Sequence, residues 1–266
     1  MNHISTMFAS RGGRVYRSHS WELREHGNRR VALLVGNGVW PQHKEKRLIS
    51  FLLDRGFFVL SLDLAFGSSI APRVRLGAFR DTMASYAKEA KPVGLPLYLV
   101  ASSFSASALL PRAADMEEVA ALALVSPIVE FPPPRLKPAL FFLPTAKLAV
   151  RPELQSGCPE LLEGLADGVS ALKFNKRDLK VLAADISDTL SKPLGLPVAV
   201  FAGEDDPFLS QAGIQALSRA GARVYGYPHV GREPGRDRLA DAFYADFGSF
   251  LDEVEAGKTQ GHKIAR

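Results

Sequence analysis

Ser103 lies in a stretch whose residue types suit nucleophilic chemistry. Leu97-Tyr98-Leu99-Val100 reads as a buried strand, Ala101-Ser102-Ser103-Phe104-Ser105 follows with mostly small side chains, and Ala106 to Leu110 can continue as a helix. A chain that turns sharply from strand into helix leaves no room for bulky groups beside the turn. The residue at its apex is forced into a strained backbone conformation, with its side chain held out over the end of the sheet. A serine at that apex is presented as a nucleophile, and the next backbone N–H, that of Phe104, is offered to an oxyanion. The usual form of such a turn is Gly-x-Ser-x-Gly, and here Ala101 and Ser105 take the glycine positions. A serine-rich turn with no chemical role fits the same residues.

Other polar candidates fall just beyond further apolar runs. Asn37 and Val39 follow Val31–Val35, Asp206 follows Pro197–Ala202, and His229 follows Ala222–Tyr227. In open α/β sheets the ligand sits at the carboxyl ends of the strands. The chain order is serine, acid, histidine.

These residues need a parallel sheet to position them, and the hydrophobic pattern supplies one. Val31–Val35, Phe57–Leu62, Leu97–Ala101, Val119–Val125 and Pro197–Ala202 are continuous apolar runs, the mark of strands buried on both faces. Between them, Lys44–Asp54 and Leu76–Lys91 have helical spacing, closed by Gly56 and by Pro92 with Gly94. Alternation of strand and helix predicts a mostly parallel α/β sheet with helices on both faces. Residues 1–30 read as a polar lead-in with short strands at Arg14–Tyr16 and Ser20–Leu23. The rhythm breaks from about 130 to 195, where Pro132, Pro133, Pro134, Pro138, Pro144 and Pro152 punctuate apolar pieces such as Ala139–Leu143. Helices are expected there at Glu160–Leu172 and Arg177–Leu190, forming either a helical cap over the sheet end or extra packing helices. Helices at Ile214–Ala220 and Leu239–Val254 complete a single domain over 1–256, and 257–266 reads as a disordered basic tail.

The 266-residue chain is 47% hydrophobic and 23% charged, which suits a soluble globular domain. Its net charge of +5 is drawn largely from the ends, in Arg11, Arg14, Arg17, Lys258, Lys263 and Arg266. No basic stripe is interleaved with aromatics, so a nucleic-acid partner is not expected. Cys158 is the single cysteine, which excludes an internal disulfide and a cysteine metal cluster. No metal or cofactor is expected. The first residues carry no apolar h-region and no run reaches about 18 apolar residues, so neither a secretory signal nor a membrane span is predicted. A cytoplasmic location is the resulting expectation. The sequence does not fix the oligomeric state.

Over roughly 29–252 the chain resembles the α/β-hydrolase superfamily. Gly203-Glu204-Asp205-Asp206-Pro207 resembles the Gly-Glu-x-Asp-Pro segment whose last aspartate orients a catalytic histidine. Asn37-Gly38-Val39 is similar to the His-Gly-x oxyanion segment, and Asp63 to Ser69 to the Asp-x-x-Gly-x-Gly-x-Ser loop with Gly67 and Ser69 kept. The elbow itself is locally similar to Ala-x-Ser-x-Ser elbows of acyl-transferring thioesterases of the bacterial luminescence type. The resemblance implies an α/β-hydrolase fold acting on a small-molecule acyl substrate, an ester or thioester, through an acyl-serine intermediate. In that scheme His229 takes the proton of Ser103 while Asp206 holds the imidazole. Backbone N–H groups of Val39 and Phe104 form the oxyanion hole, each worth on the order of 3 kcal/mol of barrier. Asn37, Trp40 and Arg232 are the substrate-binding candidates.

One position departs from that pattern. Laid on the Pro-Gly-x-Gly-His loop of the superfamily, Pro228-His229-Val230-Gly231-Arg232 puts Arg232 where the histidine belongs. Arginine has no lone pair to offer as a base and stays protonated. Two arrangements follow. Either the loop turns so that His229 reaches Ser103, or Arg232 takes that place in a catalytically degenerate site that binds a ligand or partner. There it pairs with Asp206 or holds a carboxylate or phosphate above Ser103. His43 is a further candidate, in the loop after the first core strand; a solvated residue at a helix start fits it as well.

Overall fold

A computed structural model of the protein describes residues 1–9, 15–23, 27, 29–36, 45–63, 73–90, 92, 94–113, 115–116, 119–130, 145–149 and 171–261. Its main sheet has eight strands: β1 (Asn2–Ala9), β2 (Val15–Glu22), β3 (Arg30–Val35), β4 (Phe57–Asp63), β6 (Leu97–Ser102), β7 (Val119–Val125), β10 (Val198–Gly203) and β11 (Arg223–Tyr227). Their spatial order is β1-β2-β4-β3-β6-β7-β10-β11. The six strands from β4 to β11 run parallel, while β2 is antiparallel to both β1 and β4.

Period-2 alternation in the apolar strands feeds two cores, one on each face. Val31, Leu33 and Val35 join Leu97, Leu99, Leu122 and Leu124 on one face. They are covered by α2 (Leu76–Ala90), α3 (Ser103–Ala113), α4 (Lys176–Leu190) and α5 (Gln211–Arg219), through residues such as Phe79, Leu109, Leu182 and Leu217. Ala32, Leu34, Val100 and Phe201 point to the other face. There α1 (Lys46–Asp54) contributes Ile49, Leu52 and Leu53, and α6 (Ala240–Gly261) contributes the Phe243, Phe247 and Phe250 stripe. Phe201 lies edge-on to Phe243 and Phe247 at 5.1 and 5.5 Å between ring centres, fixing the last helix on the sheet.

Three expectations change. The polar lead-in is a hairpin of two eight-residue strands, β1 and β2, added antiparallel to the sheet edge. Mostly exposed, β1 has no buried face to give it an alternating apolar pattern, and backbone pairing sets its conformation instead. The second change concerns the helix expected at 160–172, where Ala171 and Leu172 belong to β9 (Ala171–Asn175) instead. That strand pairs with β8 (Thr145–Ala149) and β5 (Arg73–Val74) in a separate three-stranded sheet. The remaining residues of that expected helix, and Ala139–Leu143, lie outside the described residues. Third, α6 continues through Gly261, past Val254 and into the segment read as tail.

Within the expected cap segment, α4 packs in the same layer as α2 and α3. Asn175 caps it by accepting from the Arg177 N–H at 3.0 Å. Its Leu182 and Ile186 are buried in the shared core. The Arg80 guanidinium bridges α2 to both neighbours, donating to the Ala108 carbonyl at 2.8 Å and to Asp185 at 2.6 Å. No helix among the described residues is long and apolar enough to cross a membrane.

Candidate active site

The junction of β6 and α3 falls between Ser102 and Ser103, and Ser103 has φ of +53°. That left-handed conformation is costly for a residue with a Cβ, on the order of 1–3 kcal/mol. It is the strained apex that the sequence pattern predicts. Buried Ala101, Ser105 and Ala106 leave the turn free of bulk. Ser105 does more than a glycine could, because its hydroxyl donates to the Gly36 carbonyl at the end of β3. Ser107 fixes the first turn of α3 by donating to the Ser103 carbonyl at 3.0 Å and accepting from the Ile128 N–H at 2.7 Å.

Strand pairing then brings the other groups to the same edge. Ser102 pairs with Val125, and Val125 with Phe201, so Ser103, Ser126 and the Gly203–Pro207 loop stand at the carboxyl ends of adjacent strands. Asp206 is buried, its side chain fully enclosed. Its Oδ1 accepts from the Phe208 N–H at 2.9 Å, a local turn that aims the carboxylate inward.

Arg232 fills the space between Asp206 and Ser103. Its Nη1 donates to Asp206 Oδ1 at 2.6 Å, while Nη2 donates to Ser103 Oγ at 2.9 Å and to the Ser126 carbonyl at 2.8 Å. The guanidinium also lies over the Phe208 ring, 4.6 Å from its centre. Its side chain is only 2% exposed, so this is a desolvated ion pair with charge-assisted bonds, and the serine is its third anchor.

His229 is not brought to this cluster. Its side chain is exposed, it has φ of +56°, and its backbone carbonyl accepts from Arg238 at 2.9 Å. Among the described residues its ring makes no hydrogen bond. The ring expected to serve Ser103 as base is thus hydrogen-bonded to neither Ser103 nor Asp206 among the described residues, and the cause is how the turn after β11 is tied down. Glu204 N–H donates to the Tyr227 carbonyl at 3.0 Å and Asp205 N–H to the Val230 carbonyl at 3.1 Å. The turn presses so closely on Gly203 that a Cβ there would overlap the Val230 and Gly231 carbonyls. With 228–231 pinned to 203–205, residue 232 is the one delivered beneath the sheet end toward Asp206.

Asn37, Val39, Trp40 and His43 lie outside the described residues, as does the 64–69 part of the loop after β4. Phe104 is in place as the residue after the elbow, its side chain buried near Phe79. Two contributors escape a reading by residue type: Ser126, whose carbonyl holds the guanidinium, and Phe208, which stacks on it. Ser126 carries a signal of its kind, a polar residue directly after a buried strand, and its φ of +45° marks a second sharp exit from the sheet. Phe208 carries none.

No protein-family model and no curated protein matches the sequence. Solved structures resemble it along its length. A soluble variant of monoglyceride lipase from Saccharomyces cerevisiae, in complex with a substrate analog, is 15% identical with a TM-score of 0.77, covering 96% of this chain and 95% of that one. A thermostable carboxyl esterase from Bacillus coagulans is 16% identical with a TM-score of 0.72, covering 96% and 99%. A proline iminopeptidase-related protein from Thermus thermophilus is 19% identical with a TM-score of 0.66, covering 96% and 99%. At these identities the likeness shows the fold.

Proposed function

We propose that this chain, which has the α/β-hydrolase fold, uses its Ser103 site to bind a small acyl compound without histidine-based turnover. One observation carries the reading: the Arg232 guanidinium occupies the space between Asp206 and Ser103, bonded to both. Acylation of a serine requires a group that takes its proton as the oxygen attacks. A guanidinium is a donor only, stays charged throughout the accessible pH range, and here occupies a lone pair on Ser103 Oγ. Because Ser103 accepts from Arg232, its own hydroxyl hydrogen stays available to donate to a ligand carbonyl oxygen. Asp206 balances the charge of Arg232, so the polar floor of the site is neutral overall. A neutral acyl group suits such a floor better than a free anion. Likeness to lipases and an esterase supports an ester-type compound as the ligand. The apolar 130–195 segment and its Phe-rich stretch at 141–142 support an apolar acyl chain.

A second reading, a serine hydrolase cleaving an ester or thioester through an acyl-serine, is favoured by one feature. Ser103 holds a strained φ at the elbow, and strain of this kind clusters at active sites. It needs a proton acceptor other than His229, and His43 is the sequence candidate.

Fluorophosphonate labelling and calorimetry with a short-chain monoacylglycerol separate the two. The binding reading expects saturable, Ser103-dependent binding, release of no fatty acid, and no labelling of the wild-type chain. Labelling of wild type that disappears in Ser103→Ala refutes it and supports the hydrolase.

A further inference from the structure

We propose that the outer edge of β1 is a homodimer interface, where a second copy adds its own β1 antiparallel to make one continuous sheet. The proposal is independent of the Ser103 site. Among the described residues β1 is an end strand, hydrogen-bonded on one side only, to β2. Such an edge offers a row of unsatisfied N–H and C=O groups, and proteins that stay monomeric blunt it with charge, proline, bulges or short length. The eight residues Asn2-His3-Ile4-Ser5-Thr6-Met7-Phe8-Ala9 include no Lys, Arg, Asp, Glu, Pro or Gly, and their pairing with β2 runs without a bulge. The opposite edge, β11, is shorter and carries Arg223, which pairs with Glu253.

Exposed apolar side chains collect at the same place. Among the described residues the large hydrophobics left exposed are Met1 (74%), Ile4 (54%), Met7 (66%) and Val181 (44%), three of them on or beside β1. The chain carries a net charge of +5, but β1 contributes none of it, so two copies meet there without opposing like charges.

The strand also fixes the register. Phe8 packs edge-on against Tyr86, so Ile4, Thr6 and Phe8 share the α2 side of the sheet, while His3 stacks on Trp21 toward the other side. Residues opposite each other in an antiparallel pair share a face, so a two-fold axis must pass through a residue pair of one kind. An axis through Thr6 sets Ile4 opposite Phe8 of the second copy, twice, and Ser5 opposite Met7. An axis through Ser5 sets Ile4 opposite Thr6 and wastes the apolar match. Cross-strand apolar pairs stabilise a sheet, so the Thr6 axis is favoured. The contact is isologous and closes as a dimer.

Sedimentation equilibrium of the full chain, from micromolar to hundreds of micromolar, tests this. Wild type is expected to show a reversible monomer–dimer equilibrium. Ile4→Lys, at an exposed position, weakens it at least tenfold with the far-ultraviolet circular dichroism unchanged, whereas Val181→Lys leaves it as in wild type. Thr6→Cys in a Cys158→Ser background forms a disulfide-linked dimer on mild oxidation. A chain that stays monomeric throughout, or a dimer indifferent to Ile4→Lys, overturns the proposal.

Discussion

Replacing Arg232 by methionine removes the cation but keeps an apolar stem of similar length over Phe208. Asp206 would then be a buried carboxylate holding only the Phe208 N–H on Oδ1, with Oδ2 already lacking a partner among the described residues. Removing one member of a buried ion pair typically costs about 3–5 kcal/mol, because the remaining charge stays desolvated. The 2.6 Å bond and near-complete burial of both side chains put this pair in that class. Against a total stability of roughly 5–15 kcal/mol, such a loss moves a urea midpoint substantially. Asp206→Leu alone strands the guanidinium and is expected to cost a similar amount. The double variant, Arg232→Met with Asp206→Leu, leaves no charge behind, so its loss falls well short of the sum. Urea unfolding at neutral pH followed by circular dichroism measures all three. If Arg232→Met costs less than about 1 kcal/mol, the pair behaves as a solvated surface bridge and the buried geometry is refuted.

Gly203→Ala forces a methyl group into the Val230 and Gly231 carbonyls, so the turn that delivers Arg232 has to move. A loss of about 3 kcal/mol is expected, together with loss of acyl-ligand binding, and an unchanged melting temperature contradicts the close approach. Burial pushes the phenols of Tyr98 and Tyr244 up to about 12, above the usual value near 10. In the unfolded chain these groups lose their protons first, so stability is complete below pH 10 and falls as pH rises from there toward 12. Absorbance titration at 295 nm checks this, and full tyrosine ionisation by pH 10.5 in the folded protein contradicts it.

Much of the framework is legible in residue types alone. Continuous apolar runs mark β3, β4, β6, β7 and β10 because strands buried on both faces have no polar side to show. Ser103 is legible as the apex because Ala101 and Ser105 are small where a strand-to-helix turn has no room. β1 is not, since an exposed edge strand owes its conformation to partners rather than pattern. The strand at Ala171–Asn175 is likewise set by pairing with β8 and β5, against a helical spacing that runs through Ala171.

At the site, the sequence determines which groups are available: a serine at an elbow, an aspartate after β10, and both a histidine and an arginine after β11. Only the tertiary structure decides between the last two. Sequence distance leaves either within reach of Asp206. The choice is made by contacts between segments far apart in the chain, the backbone bonds from Glu204 and Asp205 to Tyr227 and Val230 and the tight packing on Gly203. Those contacts set the exit angle of the turn. Exit angle, rather than residue type, puts a permanent cation against Ser103 and leaves the titratable ring of His229 in solvent.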